Sequence, residues 1–287
     1  TFNFKVIGGV IYTGKTNVTN GKWTIDFVVP KDISYNPGRG KMIAYFKNNS
    51  SDGLGYTDNF IMNGIDSSAA ADSTGPAVSL YLGSRNFRTG DLVNQNPKLI
   101  ADFTDENGIN LTGTIGHKIE AIFNDDENNK IDLTPYYTSN QNFQTGTAEY
   151  QLENLADGNY KIEIIAWDTY NNYSSSIIDF TVKSNAEFAL ENVYNYPNPM
   201  QDNTKFIFQH NSDETLTATI DIYTVSGRLI KELNKTNITD KFVSLEWNGL
   251  DSDGDAIANG TYLYKVLIKS ENGNFSKSVT GKLAKLK

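Results

Sequence analysis

The chain of 287 residues has no cysteine, two histidines and three methionines. Without a thiol, these residues can form no disulfide, no thiolate metal site and no cysteine nucleophile. The two histidines leave few bases that titrate near neutral pH. His117 stands beside a predicted strand and His210 at the end of one, and no nucleophile elbow accompanies either. No apolar run reaches the length of a transmembrane helix. The opening Thr1-Phe2-Asn3-Phe4-Lys5-Val6 has neither an initiator methionine nor a signal-peptide pattern. We therefore expect the C-terminal piece of a larger polypeptide. A net charge of -9 and a pI near 4.8 argue against nucleic acid, which needs a basic face to displace counterions.

A sustained helical apolar stripe is missing too. Gly, Asn, Ser, Thr and Asp punctuate the sequence about every ten residues, and alternating apolar runs lie between them, the pattern of stacked β-sandwiches. The expected fold is all-β, three consecutive antiparallel, immunoglobulin-like sandwiches: residues 1-68, N-terminally truncated, then 74-183 and 187-287. In the first, Phe2, Phe4 and Val6 and then Trp23, Ile25 and Phe27 alternate with polar residues. Asn20-Gly21 and Asp52-Gly53 read as turns, and Met42 to Phe46 and Phe60 to Met62 as strands. The stretch from Asp66 to Pro76 is small, polar and breaker-ended, hence a boundary. The second domain has strand candidates at Val78 to Leu82, Leu99 to Phe103, Lys118 to Phe123, Ala148 to Leu152, Tyr160 to Trp167 and Ile177 to Val182. Tyr160 is placed to form a tyrosine corner. In the third, Leu216, Ala218, Ile220 and Ile222 point one way, as do Val243, Leu245 and Trp247. Tyr262, Tyr264, Val266 and Ile268 repeat the pattern. Ser226-Gly227-Arg228, Asp253-Gly254-Asp255 and Asn272-Gly273 reverse the chain, the last as a type I′ turn. The prolines of Asn195-Tyr196-Pro197-Asn198-Pro199 suit an extended edge.

Acidic residues sit mostly in turns, where Asx-turn capping accounts for them. Two groups have the oxygen density calcium requires: Asp251, Asp253 and Asp255, and Asp102, Asp105, Glu106 and Asn107. The first departs from the EF-hand template in the place of its glycine, Gly254, and has no closing glutamate. No catalytic, cofactor-binding or metal-ligating residue is assigned, and calcium stays an open alternative. From Lys269 onward, five lysines (Lys269, Lys277, Lys282, Lys285, Lys287) face one acid, Glu271. They read either as edge protection or as a docking surface. Tyr136, Tyr137, Tyr170 and Tyr173 would suit sugar stacking if exposed.

Several of these runs carry a resemblance. Asn195-Tyr196-Pro197-Asn198-Pro199, Asp221-Ile222-Tyr223-Thr224-Val225-Ser226-Gly227-Arg228, Leu245-Glu246-Trp247-Asn248-Gly249 and Asn259-Gly260-Thr261-Tyr262 look like the C-terminal domains of type IX secretion substrates of Bacteroidetes. They are similar, too, to the immunoglobulin-like module of flagellar hook-capping proteins. Asp72-Ser73-Thr74-Gly75-Pro76, Asp102-Phe103-Thr104-Asp105-Glu106-Asn107-Gly108-Ile109-Asn110, Ile115-Gly116-His117 and Trp167-Asp168-Thr169-Tyr170-Asn171-Asn172 resemble the post-catalytic region of the gingipain-related sortases of that system. So do Phe27-Val28-Val29-Pro30-Lys31-Asp32-Ile33 and Tyr56-Thr57-Asp58-Asn59-Phe60-Ile61. The resemblance implies a cell-surface cysteine peptidase that cleaves cargo signals and joins cargo to lipopolysaccharide. Its catalytic His and Cys lie upstream, and its C-terminal domain is retained on an outer-membrane barrel of the PorV type, among other attachment-complex components. Gly260, Tyr262, Lys265, Gly281, Lys282 and Lys285 are the expected docking residues, with no transmembrane segment. The alternative is a surface adhesin or carbohydrate-binding module ending in an ordinary type IX sorting signal.

Overall fold

A computed structural model describes residues 8–33, 36–113, 116–183, 188–212 and 214–286. The expected strand at Phe2 to Val6, Ile115 and residues 184–187 lie outside the described residues. All regular structure among the described residues is strand, apart from one 3-10 turn at Thr134–Tyr136. No helix among them is long and apolar enough to cross a membrane.

The first stretch pairs sparingly. Asn20 and Gly21, both at positive φ, turn the chain between Thr19 and Lys22, as their sequence predicts. No strand forms at Trp23 to Phe27: a ladder needs a partner chain, and Phe27 instead stacks on Tyr12 at 5.1 Å. β1 (Gly38–Arg39) pairs with β4 (Ile61–Met62), and β2 (Met42–Lys47) with β3 (Asp52–Thr57), both antiparallel. The turn expected at Asp52-Gly53 is the start of β3. The reversal falls at Asn48, whose side-chain oxygen accepts the N–H groups of Ser50 and Ser51. Ile43 lies opposite Tyr56 and Tyr45 opposite Leu54, and all four are exposed.

Next come β5 (Ala77–Leu82), β6 (Leu92–Val93), β7 (Lys98–Thr104), β8 (Glu120–Phe123), β9 (Ile131–Asp132), β10 (Tyr137–Ser139), β11 (Thr145–Gln151), β12 (Gly158–Trp167) and β13 (Tyr173–Val182). They form two sheets, ordered β10-β11-β7-β5 and β6-β13-β12-β8-β9, antiparallel except that β6 runs parallel to β13. Their inward residues meet in one apolar core that includes Leu82, Phe103, Ile119, Ile162, Ile164 and Phe180. Tyr160 donates from its hydroxyl to Ala156 O at 3.0 Å and so forms the expected corner.

The last group is β14 (Leu190–Tyr196), β15 (Thr204–His210), β16 (Leu216–Thr224), β17 (Leu229–Ile238), β18 (Phe242–Trp247), β19 (Gly260–Ser270) and β20 (Ser276–Lys285). Its sheets are β14-β15-β18 and β17-β16-β19-β20. Leu216, Ala218, Ile220 and Ile222 face a second core with Phe206, Phe208, Trp247, Tyr264, Val266 and Ile268. Of Asn272 and Gly273 only Gly273 has positive φ, so the β19–β20 loop is not the expected type I′ turn. Ser270 N donates to Phe275 O and Gly273 N to Ser270 O, a longer loop with glycine in the left-handed position.

Candidate functional site

The docking residues expected from the sequence all fall on β19 and β20, but on different faces. Gly260 opens β19 at φ 153. Tyr262 points inward, 7% exposed, and its hydroxyl donates to Ala258 O at 2.8 Å, so its work is structural. Gly281 also faces inward, where a Cβ would lie 2.2 Å from the Tyr264 ring. Lys285 is buried as well. Only Lys265 and Lys282 reach solvent on the outer face. Strand parity places Leu263, Leu267 and Lys269 beside them on the same face, a grouping that follows from the two-residue period and not from motif spacing. The outer face is therefore lysine-bearing, with two half-buried leucines between the charges. Asp221 of β16 lies opposite Lys265.

The outer edge of β20 is partly closed by the proline motif. Asn198 Nδ2 donates to Lys282 O at 3.0 Å, and Ala284 N donates to Asn198 Oδ1 at 2.9 Å. Met200 N then donates to Ala284 O, and Leu286 N to Met200 O. Asn195 supports this strap by donating to Thr204 Oγ1, while Thr204 Oγ1 donates to Pro197 O. The strap gives edge carbonyls and amides partners that a free edge lacks.

Of the acidic groups, Asp105 comes together with Asp72 and Asp168, each offering one oxygen within 4.8 Å of the others. Asp102 instead forms a two-pronged ion pair with Arg85 at 2.7 and 2.8 Å. Burial pushes Asp105 up to about 6, with the neighbouring Asp168 and Asp72 adding to it, and burial raises Asp168 too. These three could hold a divalent cation. Each also accepts hydrogen bonds from its own loops: Asp72 from Thr74 N and Asn107 Nδ2, Asp105 from Asn107 N, and Asp168 from Tyr170 N and Asn172 N. Asp251 caps the Asp253 and Asp255 amides in a turn.

The two histidines are apart. His117 Nδ1 contacts Asp32 Oδ2 at 2.5 Å, and Asp32 also accepts from Asn110 and Asn171 at 2.8 Å each. That node fastens the first stretch to the end of the middle sandwich. His210 is fully buried, and burial, then the nearby Lys241, lowers it to about 4. The four tyrosines are dispersed: Tyr137 is buried, Tyr170 lies under Lys31 Nζ, and Tyr173 packs on Trp167. Tyr136, edge-on to Tyr150 at 4.9 Å, borders an open groove of about 720 Å³ with Asp126, Asn129 and Glu153.

Residues 199–274 match the family described as the FlgD Ig-like domain. No curated protein matches the chain. Among solved structures the chain is similar to dimeric latent PorU from Porphyromonas gingivalis, with 28% identity over 96% of this chain and 26% of that one, and a TM-score of 0.41. It is also similar to the Parabacteroides merdae beta-glucuronidase (10% identity, 74% of this chain, 24% of that one, TM-score 0.35). A third is the Bacteroides ovatus protein SGBP-B in complex with mixed-linkage heptasaccharide (11% identity, 99% and 71%, TM-score 0.25). The chain thus spans about a quarter of the PorU chain it resembles, and its last sandwich carries the FlgD Ig-like match.

Proposed function

We propose that the chain is the non-catalytic stalk and docking region of a cell-surface type IX sortase, with its last sandwich seated on an outer-membrane barrel of the PorV type. The observation that carries this reading is the ordered run of motifs from Asp72 to Tyr262, the last part of which falls in residues 199–274, the match to the FlgD Ig-like domain. Catalysis belongs, on this reading, to a gingipain-like cysteine peptidase domain elsewhere in the parent protein. The chain itself has no cysteine to supply. The docking surface is the outer face of β19 and β20, where Lys265, Lys269 and Lys282 surround Leu263 and Leu267 on a chain of net charge -9. Lysines gathered on one face of an acidic protein steer an acidic partner. The full chain should capture a PorV-type barrel, and Lys265→Glu with Lys282→Glu should weaken capture roughly tenfold, more at low salt than at high. Undiminished capture by that variant overturns the assigned face. An adhesin or glycosidase domain upstream, in place of one with a gingipain-like His and Cys, overturns the sortase reading as a whole.

The groove bordered by Tyr136 and Tyr150 favours a second reading, a carbohydrate-binding surface module with an ordinary sorting signal. Retention on polysaccharide gels that Tyr136→Ala abolishes supports it; equal migration of both proteins removes it.

A further inference from the structure

The groove beside Tyr136 is lined from both sheets of the middle sandwich: from β8, β9 and the loop between them, and from the end of β11 with the loop that follows it. Phe123, Ile131 and Leu155 pack against the sandwich core and give it an apolar floor. Tyr136, 49% exposed, stands over that floor with Tyr150 edge-on behind it. The charges around the groove do not cancel. Lys161 pairs with Asp125 of the β8–β9 loop, and Lys130 pairs with Glu127 at 2.8 Å and with Glu120 at 3.2 Å. Asp126 and Glu153, both exposed, line the groove from its two sides, and neither has an ion pair. No lysine or arginine among the described residues lines it. Asp126 accepts Asn128 N through one oxygen at 3.1 Å and has its second oxygen to offer a ligand.

We infer that this groove takes a sugar chain carrying free, protonated amines, with Tyr136 stacked on a sugar ring and Asp126 and Glu153 holding the ammonium groups. The inference rests on the carbohydrate-binding reading above and names the class of sugar. An aromatic ring meets the apolar face of any pyranose, so stacking alone selects no particular sugar. The two carboxylates do select. A neutral glucan brings nothing to balance them, and a uronic or sulfated polymer brings charge of their own sign. An ammonium group makes charge-assisted hydrogen bonds to carboxylates, stronger than those of a hydroxyl, and is attracted to a tyrosine ring as well.

Titration calorimetry of the full chain with glucosamine oligomers, their N-acetylated counterparts and neutral glucan oligomers tests this. The glucosamine oligomers should bind roughly tenfold more tightly than the acetylated ones, and more so at low salt. Asp126→Asn, which keeps an oxygen for Asn128 N, and Glu153→Gln should each remove most of that preference. Tyr136→Ala, which alters no charge, should weaken every sugar. Asp253→Asn deletes the same charge from an exposed turn of the last sandwich and should leave all affinities unchanged. Equal affinity for glucosamine and acetylated oligomers overturns the amine selectivity and spares the carbohydrate reading, whereas binding of no sugar removes both. A loss with Asp253→Asn equal to that with Asp126→Asn means attraction to net charge alone and overturns the site.

Discussion

The β2–β3 hairpin and the last sandwich follow the same alternation and reach opposite ends. In the hairpin, Ile43, Tyr45, Leu54 and Tyr56 share one face, and Leu54 stands 74% exposed. In the last sandwich, Leu216, Ala218, Ile220 and Ile222 share a face and are shut away from water. What separates them is a second sheet. Alternation decides which side chains stand together, whereas burial requires an opposing layer for them to meet. Among the described residues, no such layer covers the hairpin face.

The comparison can be broken by substitution. Phe206→Ala, in the last core, should cost about 3–5 kcal/mol in chemical denaturation, while Leu54→Ala should stay within about 0.5 kcal/mol. Equal effects would mean that the hairpin face is buried in solution. A smaller effect follows from His210. Its folded pKa of about 4 lies below the ordinary 6.5, so an unfolded chain takes up the proton first as pH falls. The stability it supplies is full above pH 6.5 and is lost on the way down to pH 4, about 3 kcal/mol in all. His210→Leu should flatten that slope in the last sandwich, which denaturation midpoints at several pH values would record. Glycines sharpen the contrast further. Gly281→Ala drives a methyl into Tyr264 and should cost about 1–3 kcal/mol, whereas Gly55→Ala, with nothing within 4 Å, should be close to neutral. Smallest are the two corners: Tyr160→Phe and Tyr262→Phe, one in each sandwich, should each cost about 1 kcal/mol in chemical denaturation.

Much of the two sandwiches was legible because their strands keep strict parity between turn residues. Val78 to Leu82, Leu99 to Phe103, Tyr160 to Trp167 and Leu216 to Tyr223 all lie inside strands of the structure. The Tyr160 corner was legible for the same reason, as a tyrosine just after Asp157-Gly158. Trp23 to Phe27 has equal parity but no partner, and pairing is not a local property. For the six residues expected to dock, the sequence reading left unsorted which of them face solvent. Period two puts Tyr262 and Gly281 on the inner face and Lys265 and Lys282 on the outer one. The Asp32 node and the Asp72, Asp105 and Asp168 cluster gather residues from distant stretches, which no spacing in one sequence announces.

The strap at β20 also bears on when the last sandwich can close. Asn198 meets Lys282 across 84 residues of chain, so its bonds form only after the hairpin loops between them are in place. With the strap open, β20 would offer a bare template to other chains. The motif Asn195-Tyr196-Pro197-Asn198-Pro199 thus works as a clasp that joins the two ends of the last sandwich and covers part of its edge where the chain comes full circle.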